Sequence, residues 1–317
     1  MPTLTNLSAA QAAAISEKRP NYKHSIVIIS CVAALLGLVA CSDDELATPP
    51  ESGLSDLSTP TNSSEVSTTA SQTPLPALFV HTLGGNDLDY FRSVTVADNG
   101  DIITVGDTWS TDGDFPTTHS DNDAVIARFT PTGDLIWAHT YGGNHDDLFF
   151  SVTVADNGDI ITVGYTRSTD GDLPTTHGPG DAVIARFTPT GDLLWAHTHG
   201  GNSWDSFSSV AVAGNGDIIT VGDTFSTDGD FPTTHGDDNG DAVIARFTLT
   251  GNLIWAHTYG GNSDDSFDDD SFNSVTLADN GDIITAGYTD STDGDFPTTH
   301  RASDAVIARF TPTGDLT

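Results

Sequence analysis

Paired carboxylates raise the first chemical question about this chain of 317 residues. The decapeptide STDGDFPTTH stands at Ser110–His119, Ser226–His235 and Ser291–His300, and STDGDLPTTH at Ser168–His177. Each copy sets two aspartates either side of a glycine: Asp112 and Asp114, Asp170 and Asp172, Asp228 and Asp230, Asp293 and Asp295. Carboxylates one residue apart, with loop carbonyls beside them, are the hard oxygen ligands that calcium takes. The spacing lacks the further ligands and the terminal glutamate of an EF-hand loop. An Asp-Gly turn whose side chains accept backbone N–H groups is the plainer reading, and we favour it. Gly84–Asp89, GGNDLD, resembles part of a calcium β-roll but lacks the nine-residue tandem period. Aspartates 264, 265, 268, 269 and 270 form an acidic insertion that reads as a solvated loop.

Two sets of histidines repeat as well. His81, His139, His197 and His257 follow an aromatic residue by two, and His119, His177, His235 and His300 end the Asp-Gly loops. Fourfold repetition could gather imidazoles into a metal site. In a strand, however, residues two apart share a face, so the first set reads as packing beside the aromatic between units. Arg128, Arg186, Arg246 and Arg309 sit in strands that look buried, and a buried guanidinium needs a carboxylate. That partner reads as a repeat aspartate within the same unit.

Catalytic motifs are missing. The chain has no G-x-S-x-G, no phosphate loop and no candidate cysteine nucleophile, so a non-enzyme is expected. A glycosidase would need an acid pair that breaks the repeat symmetry. The unit-specific aromatics Trp109, Tyr165, Trp204, Phe225 and Tyr288 are candidates for a ligand-stacking rim.

The elements that must position these residues repeat in the same order. Each unit runs from an aromatic-x-His-Thr mark (Phe79, Trp137, Trp195, Trp255) through Gly-Gly-Asn and NGDII to DAVIARF. From Trp137 to Trp195 the period is 58 residues, and from Trp195 to Trp255 it is 60, the extra two falling in HGDDNGDA. Ser151–Ala155 alternates, Asn-Gly turns the chain, and Asp159–Thr166 answers it, a strong hairpin signal. Asp181–Thr188 and Leu193–His199 make a third and a fourth strand. No stretch carries a helical period, so the expected fold is all-β, with four-stranded antiparallel blades repeated four times as in a β-propeller.

These linked marks resemble the bacterial SBBP (seven-bladed β-propeller) repeat over roughly residues 78–317. The resemblance implies a propeller on a secreted or surface protein and little about chemistry. Here there are four copies rather than seven. The array opens on a fourth-strand mark and stops before a fourth strand begins, so residues 78–82 are expected to complete the last blade and close the ring. The rival is an open array that pairs with a second chain.

Ahead of the array, Lys18, Arg19 and Lys23 precede the 16-residue apolar run Ser25–Ala40, which ends LVAC. A basic segment, a short apolar core and small residues read as a secretory signal. The end resembles a bacterial lipobox, which implies cleavage before Cys41 and acylation of that residue. Residues 1–40 are then the lipoprotein signal peptide. Residues 41–76, rich in Ser, Thr and Pro, read as a tether, and 77–317 as the propeller. Cys31 lies in the signal, so the mature chain has no internal disulfide. Net charge is −35 and no lysine follows Lys23, which argues against nucleic-acid partners. The expected protein is a non-enzymatic lipoprotein of the bacterial cell envelope, at the outer membrane or cell surface. Its lipid on Cys41 meets the membrane, and its propeller binds or scaffolds protein or glycan, with calcium as the one cofactor its loops suggest. The alternatives are a carbohydrate-active hydrolase or lyase with an acid pair in the channel, or a fragment of a larger propeller.

Overall fold

The computed structural model of the chain describes residues 79–115, 119, 122–231, 235, 240–262, 269–296 and 303–317. The signal and tether, Cys41, His300, and Asp264, Asp265 and Asp268 lie outside the described residues.

All named elements are strands. The first sheet holds β1 (Asp89–Val96), β2 (Ile102–Thr108), β3 (Asp123–Phe129) and β4 (Leu135–Tyr141). The second holds β5 (Asp147–Val154), β6 (Ile160–Thr166), β7 (Asp181–Phe187) and β8 (Leu193–His199). The third holds β9 (Asp205–Val212), β10 (Ile218–Thr224), β11 (Asp241–Phe247) and β12 (Leu253–Tyr259). The fourth holds β13 (Ser271–Leu277), β14 (Ile283–Thr289) and β15 (Asp304–Phe310). Within each sheet the strands pair antiparallel in chain order, as the hairpin signals require.

Local chemistry sets the turns. Between β1 and β2, Gly100 (φ 85°) donates to the Ala97 carbonyl at 2.8 Å, and the Asn99 side-chain oxygen accepts the Asp101 N–H at 3.1 Å. The β3–β4 turn closes when Gly133 N–H meets the Thr130 carbonyl at 2.9 Å. Each first strand carries a bulge at the equivalent residue: Arg92, Phe150, Ser208 and Asn273 fall where the pairing register slips. One residue earlier, Phe91, Phe149, Phe207 and Phe272 pair with glycines, which leave room for the crossing backbone.

The core lies between successive sheets. Ile103, Val105, Ala124 and Ile126 of the first sheet pack on Phe149, Val152, Ile160 and Phe187 of the second. The same contact recurs between the second and third sheets and between the third and fourth. This face-to-face burial holds the array together, since no isolated sheet could cover both of its apolar faces.

The ends differ from expectation. The fourth sheet has three strands, and residues 79–82 do not complete it. Instead the Phe79 ring lies on Gly133 of the first sheet, where an added Cβ would come within 2.5 Å of it. His139, His197 and His257 hold the matching place on Gly191, Gly251 and Gly314 of the sheet that follows each of them. Residues 79–82 therefore sit where the outer strand of a preceding sheet would lie. Packing against the sheet that follows has placed them, rather than pairing with β15.

Candidate functional site

The polar repeat residues meet at the sheet junctions. Asp147, at the start of β5, is fully buried. Thr166 donates to its Oδ1, while Ser168 Oγ (2.7 Å) and Gly143 N–H (2.9 Å) donate to its Oδ2. Asp205 repeats the arrangement with Thr224, Ser226 and Gly201. A second buried aspartate faces each from the preceding sheet. A Cβ on Gly142 would lie 2.5 Å from Asp123 Oδ1 and 2.6 Å from Asp147 Oδ2, so only glycine fits between them. Burial pushes Asp147 and Asp205 up to about 6 against those hydrogen bonds, with the charge of Asp123 or Asp181 adding to the rise. Burial likewise raises Asp241 to about 6.

The Asp-Gly-Asp loops close over these pairs. Asp112, Asp228 and Asp293 accept the N–H of Asn86, Asn202 and Asn262 at 2.9, 2.8 and 2.7 Å. The N–H groups of Asp114, Asp172, Asp230 and Asp295 donate to the carbonyls of Gly84, Gly142, Gly200 and Gly260. Gly84, Gly200 and Gly260 N–H return bonds to the carboxylates of Asp114, Asp230 and Asp295. Asp170 lies in the same loop, against Gly143. These carboxylates serve as acceptors for a neighbouring loop's backbone. No group of three or more His, Cys, Asp or Glu suited to a metal occurs among the described residues.

The other repeated side chains pack or staple. His139, His197 and His257 stack beside Trp137, Trp195 and Trp255 with ring centres 5.0 to 5.1 Å apart. His119 and His235 each reach a buried aspartate of their own sheet (Asp123, Asp241) and the loop carboxylate of the next (Asp172, Asp295), at 3.4 to 3.8 Å. The arginine partner is the NGDII aspartate: Arg128 with Asp101, Arg186 with Asp159, Arg246 with Asp217 and Arg309 with Asp282. The staple extends beyond its own sheet. Arg128 and Arg186 also donate to the carbonyls of Pro189 and Leu249 in the next sheet at 2.5 and 2.6 Å, and Arg246 to that of Pro312.

A second constellation uses residues that differ from unit to unit. The bulge turns Arg92 onto Asp107, and its guanidinium lies 5.6 Å from the Tyr90 ring centre and 5.4 Å from that of Phe150. Phe150 meets Tyr165 at 5.6 Å and Tyr165 meets Trp204 edge-on at 6.3 Å. Arg167 covers Trp204 at 5.1 Å and pairs with Asp146 at 2.9 Å. Trp204 is 38% exposed. Aromatic rings and guanidinium planes thus form one continuous row across three sheets.

Of the five rim aromatics, the structure joins Tyr165 and Trp204 directly, and Phe225 N–H donates to the Trp204 carbonyl at 2.8 Å. Tyr288 stands at the next junction, where its hydroxyl donates to Asp269 at 2.9 Å. Trp109 follows β2 at the place that Arg167 and Phe225 hold after β6 and β10, and among the described residues no ring contact links it to the other four. Near Tyr288, desolvation pushes Asp223 up to about 7, helped by the charges of Asp269 and Asp205, while Ser206 Oγ donates to it at 2.8 Å. Burial, ahead of Asp269, raises the Tyr288 hydroxyl as well. Sequence reasoning missed Arg92, Phe150, Arg167 and Asp223, and it placed Asp269 in a solvated loop, where the structure instead sets it part-buried on the Tyr288 hydroxyl. The signal was present: each sits at a position where the four units disagree.

No protein-family model matches the chain. Regulatory protein FlaEY of Caulobacter vibrioides is 25% identical over 214 residues, 61% of this chain and 22% of that protein. The chain therefore spans about a fifth of that relative's length. Among solved structures, a protein of unknown function from Bacteroides caccae matches with a TM-score of 0.35 at 9% identity, over 71% of this chain and 65% of that one. A catalytically inactive virginiamycin B lyase from Staphylococcus aureus matches with a TM-score of 0.35 at 15% identity, over 74% and 73% of the two chains. Likenesses this distant carry no functional weight.

Proposed function

We propose that the chain is a lipid-anchored protein of the bacterial envelope whose propeller-type array binds glycan or protein through the unit-specific row. One observation carries the reading. The repeated polar groups are consumed in holding sheet to sheet, whereas the residues that differ between units gather into the half-exposed row of Arg92, Phe150, Tyr165, Trp204 and Arg167. Such a row suits a sugar: aromatic faces take the apolar side of a pyranose ring, and guanidinium groups hydrogen-bond its hydroxyl or carboxylate oxygens. The anchor rests on the LVAC end of the apolar run and on Cys41. The test is titration with an oligosaccharide panel, read by tryptophan fluorescence. Binding that disappears in Trp204→Ala supports the row as the contact. Binding that persists unchanged in that variant places the contact elsewhere.

Asp223 favours a second reading. A carboxyl held up to about 7 keeps its proton on about half of the molecules at neutrality, as a general acid working near that pH requires, and Asp269 and Tyr288 stand beside it. At the first junction the equivalent residues are Asp107, Asp146 and Tyr165, where Arg92 and Arg167 pair with the two carboxylates, so the acids near Tyr288 are set apart by their surroundings, the asymmetry that a carbohydrate-active enzyme needs. Turnover of a polysaccharide by the wild type that is lost in Asp223→Asn would establish it.

A further inference from the structure

We infer that the two ends of the array are the two halves of one more sheet junction, and that a second copy of this chain fills them. Each internal junction joins a front face, built on β2 and β3 or their equivalents, to a back face on the next sheet. At the array's start the back face is bare: Val94 is 51% exposed, where its equivalents Val152, Val210 and Val275 are 6, 7 and 9% exposed. At its finish the front face is bare: Ile307 is 80% exposed, where Ile126, Ile184 and Ile244 are fully buried. The two end faces therefore do not cover each other within one chain.

The polar parts of the junction wait at the same ends. Arg128, Arg186 and Arg246 are 12, 14 and 17% exposed as they reach into the next sheet, while Arg309 keeps Asp282 and is 54% exposed. Ser93, Ser151 and Ser209 Oγ accept the N–H of Val152, Val210 and Val275 in the sheet that follows, at 3.4, 3.3 and 3.2 Å. By the same register Ser274 of one copy meets the Val94 N–H of another, and Arg309 meets the Pro131 carbonyl. Residues 79–82 already lie where a preceding sheet's outer strand belongs, next to the unpaired edge that the incoming β15 presents. An exposed edge and two apolar faces that match in register select this partner over an unrelated protein. The contact is head-to-tail, front face of one copy on back face of the next, so each copy keeps one face of each kind for a partner.

The test uses single cysteines in the full chain, Ser274→Cys and Val94→Cys, made separately, each in a background with Cys31 and Cys41 replaced by Ala and Ser. Mixed and oxidised, the two are expected to give a disulfide-linked dimer that neither gives alone. Ile307→Asp added to the Ser274→Cys chain is expected to cut the yield about a hundredfold, since it buries an unpaired carboxylate. Ile307 is exposed in the single chain, so this change leaves the array folded. A chain carrying both cysteines that links only within itself would show that one copy closes its own ring, and the proposal falls. No linkage in any combination would show that the two faces never meet, and it falls equally.

Discussion

Asp147 and Asp223 are both acids set among protein atoms, yet they belong to different parts of the molecule. Asp147 repeats at the same place in every unit and receives three donors, Thr166, Ser168 and Gly143 N–H. Asp223 stands at a position held by Asp107 in the first unit but by Tyr165 and Tyr288 in the second and fourth, and Ser206 and Ser271 hydrogen-bond to it. The first is architecture: its burial is compensated by hydrogen bonds that tie two loops and a strand to the next sheet. The second is more completely desolvated and faces the charges of Asp269 and Asp205, and its carboxyl is pushed up to about 7, against about 6 for Asp147. Repetition in this chain marks residues that hold the array, and departure from repetition marks residues free for chemistry.

The sharpest way to break that division is to empty a junction. Phe149→Ala removes a fully buried ring from the first junction and is expected to cost about 3–5 kcal/mol in denaturant unfolding. Trp204→Ala, on the unit-specific row, is expected to stay within about 0.5 kcal/mol of wild type in the same experiment. If the two variants unfold alike, the row is structural and the division fails.

Next comes the aspartate pair. Asp147→Ala strands Thr166, Ser168 and the Gly143 N–H and is expected to destabilise by about 2–4 kcal/mol. Asp223→Asn removes a charge that the fold disfavours. It is expected to raise the melting temperature at pH 8 and to leave it nearly unchanged at pH 5. Loss of stability at both pH values would make Asp223 another structural acid.

The smallest effect is the pH dependence of the whole array. Asp147, Asp205 and Asp241 are raised to about 6 and Asp223 to about 7, all above the ordinary aspartate value. The native form therefore holds protons that the unfolded chain has released. Stability is expected to fall as pH rises from about 4 through 7, so melting temperature is higher at pH 5 than at pH 8. Asp230, held down first by His199, and Asp293, held down by the Asn262 backbone, act in the opposite sense and only as pH drops below about 4. A flat profile between pH 5 and 8 would mean that the junction acids ionise freely.

Much of the fold was legible because its signals are local. Alternating β-branched residues around Asn-Gly make the hairpins of β1–β2 and β5–β6 whatever surrounds them, and the order of marks predicts four strands per unit. The packing role of His139, His197 and His257 was legible too, since i and i+2 share a strand face. The arginine staple was half legible. A buried guanidinium demands a carboxylate, but only packing reveals that Pro189 and Leu249 of the next sheet supply its second acceptor.

Composition and period by themselves determined an acidic, all-β, fourfold array with unit-specific aromatics, because strand, turn and charge preferences act over a few residues. The tertiary structure decided the rest. It turned Arg92 and Phe150 into one row with Trp204 through a bulge and two junctions. It set Asp123 against Asp147 across Gly142. It laid Phe79 on Gly133 rather than beside β15, leaving both end faces bare. Each of these depends on where one sheet stops against another, a contact made between residues some 60 positions apart, which no local preference encodes.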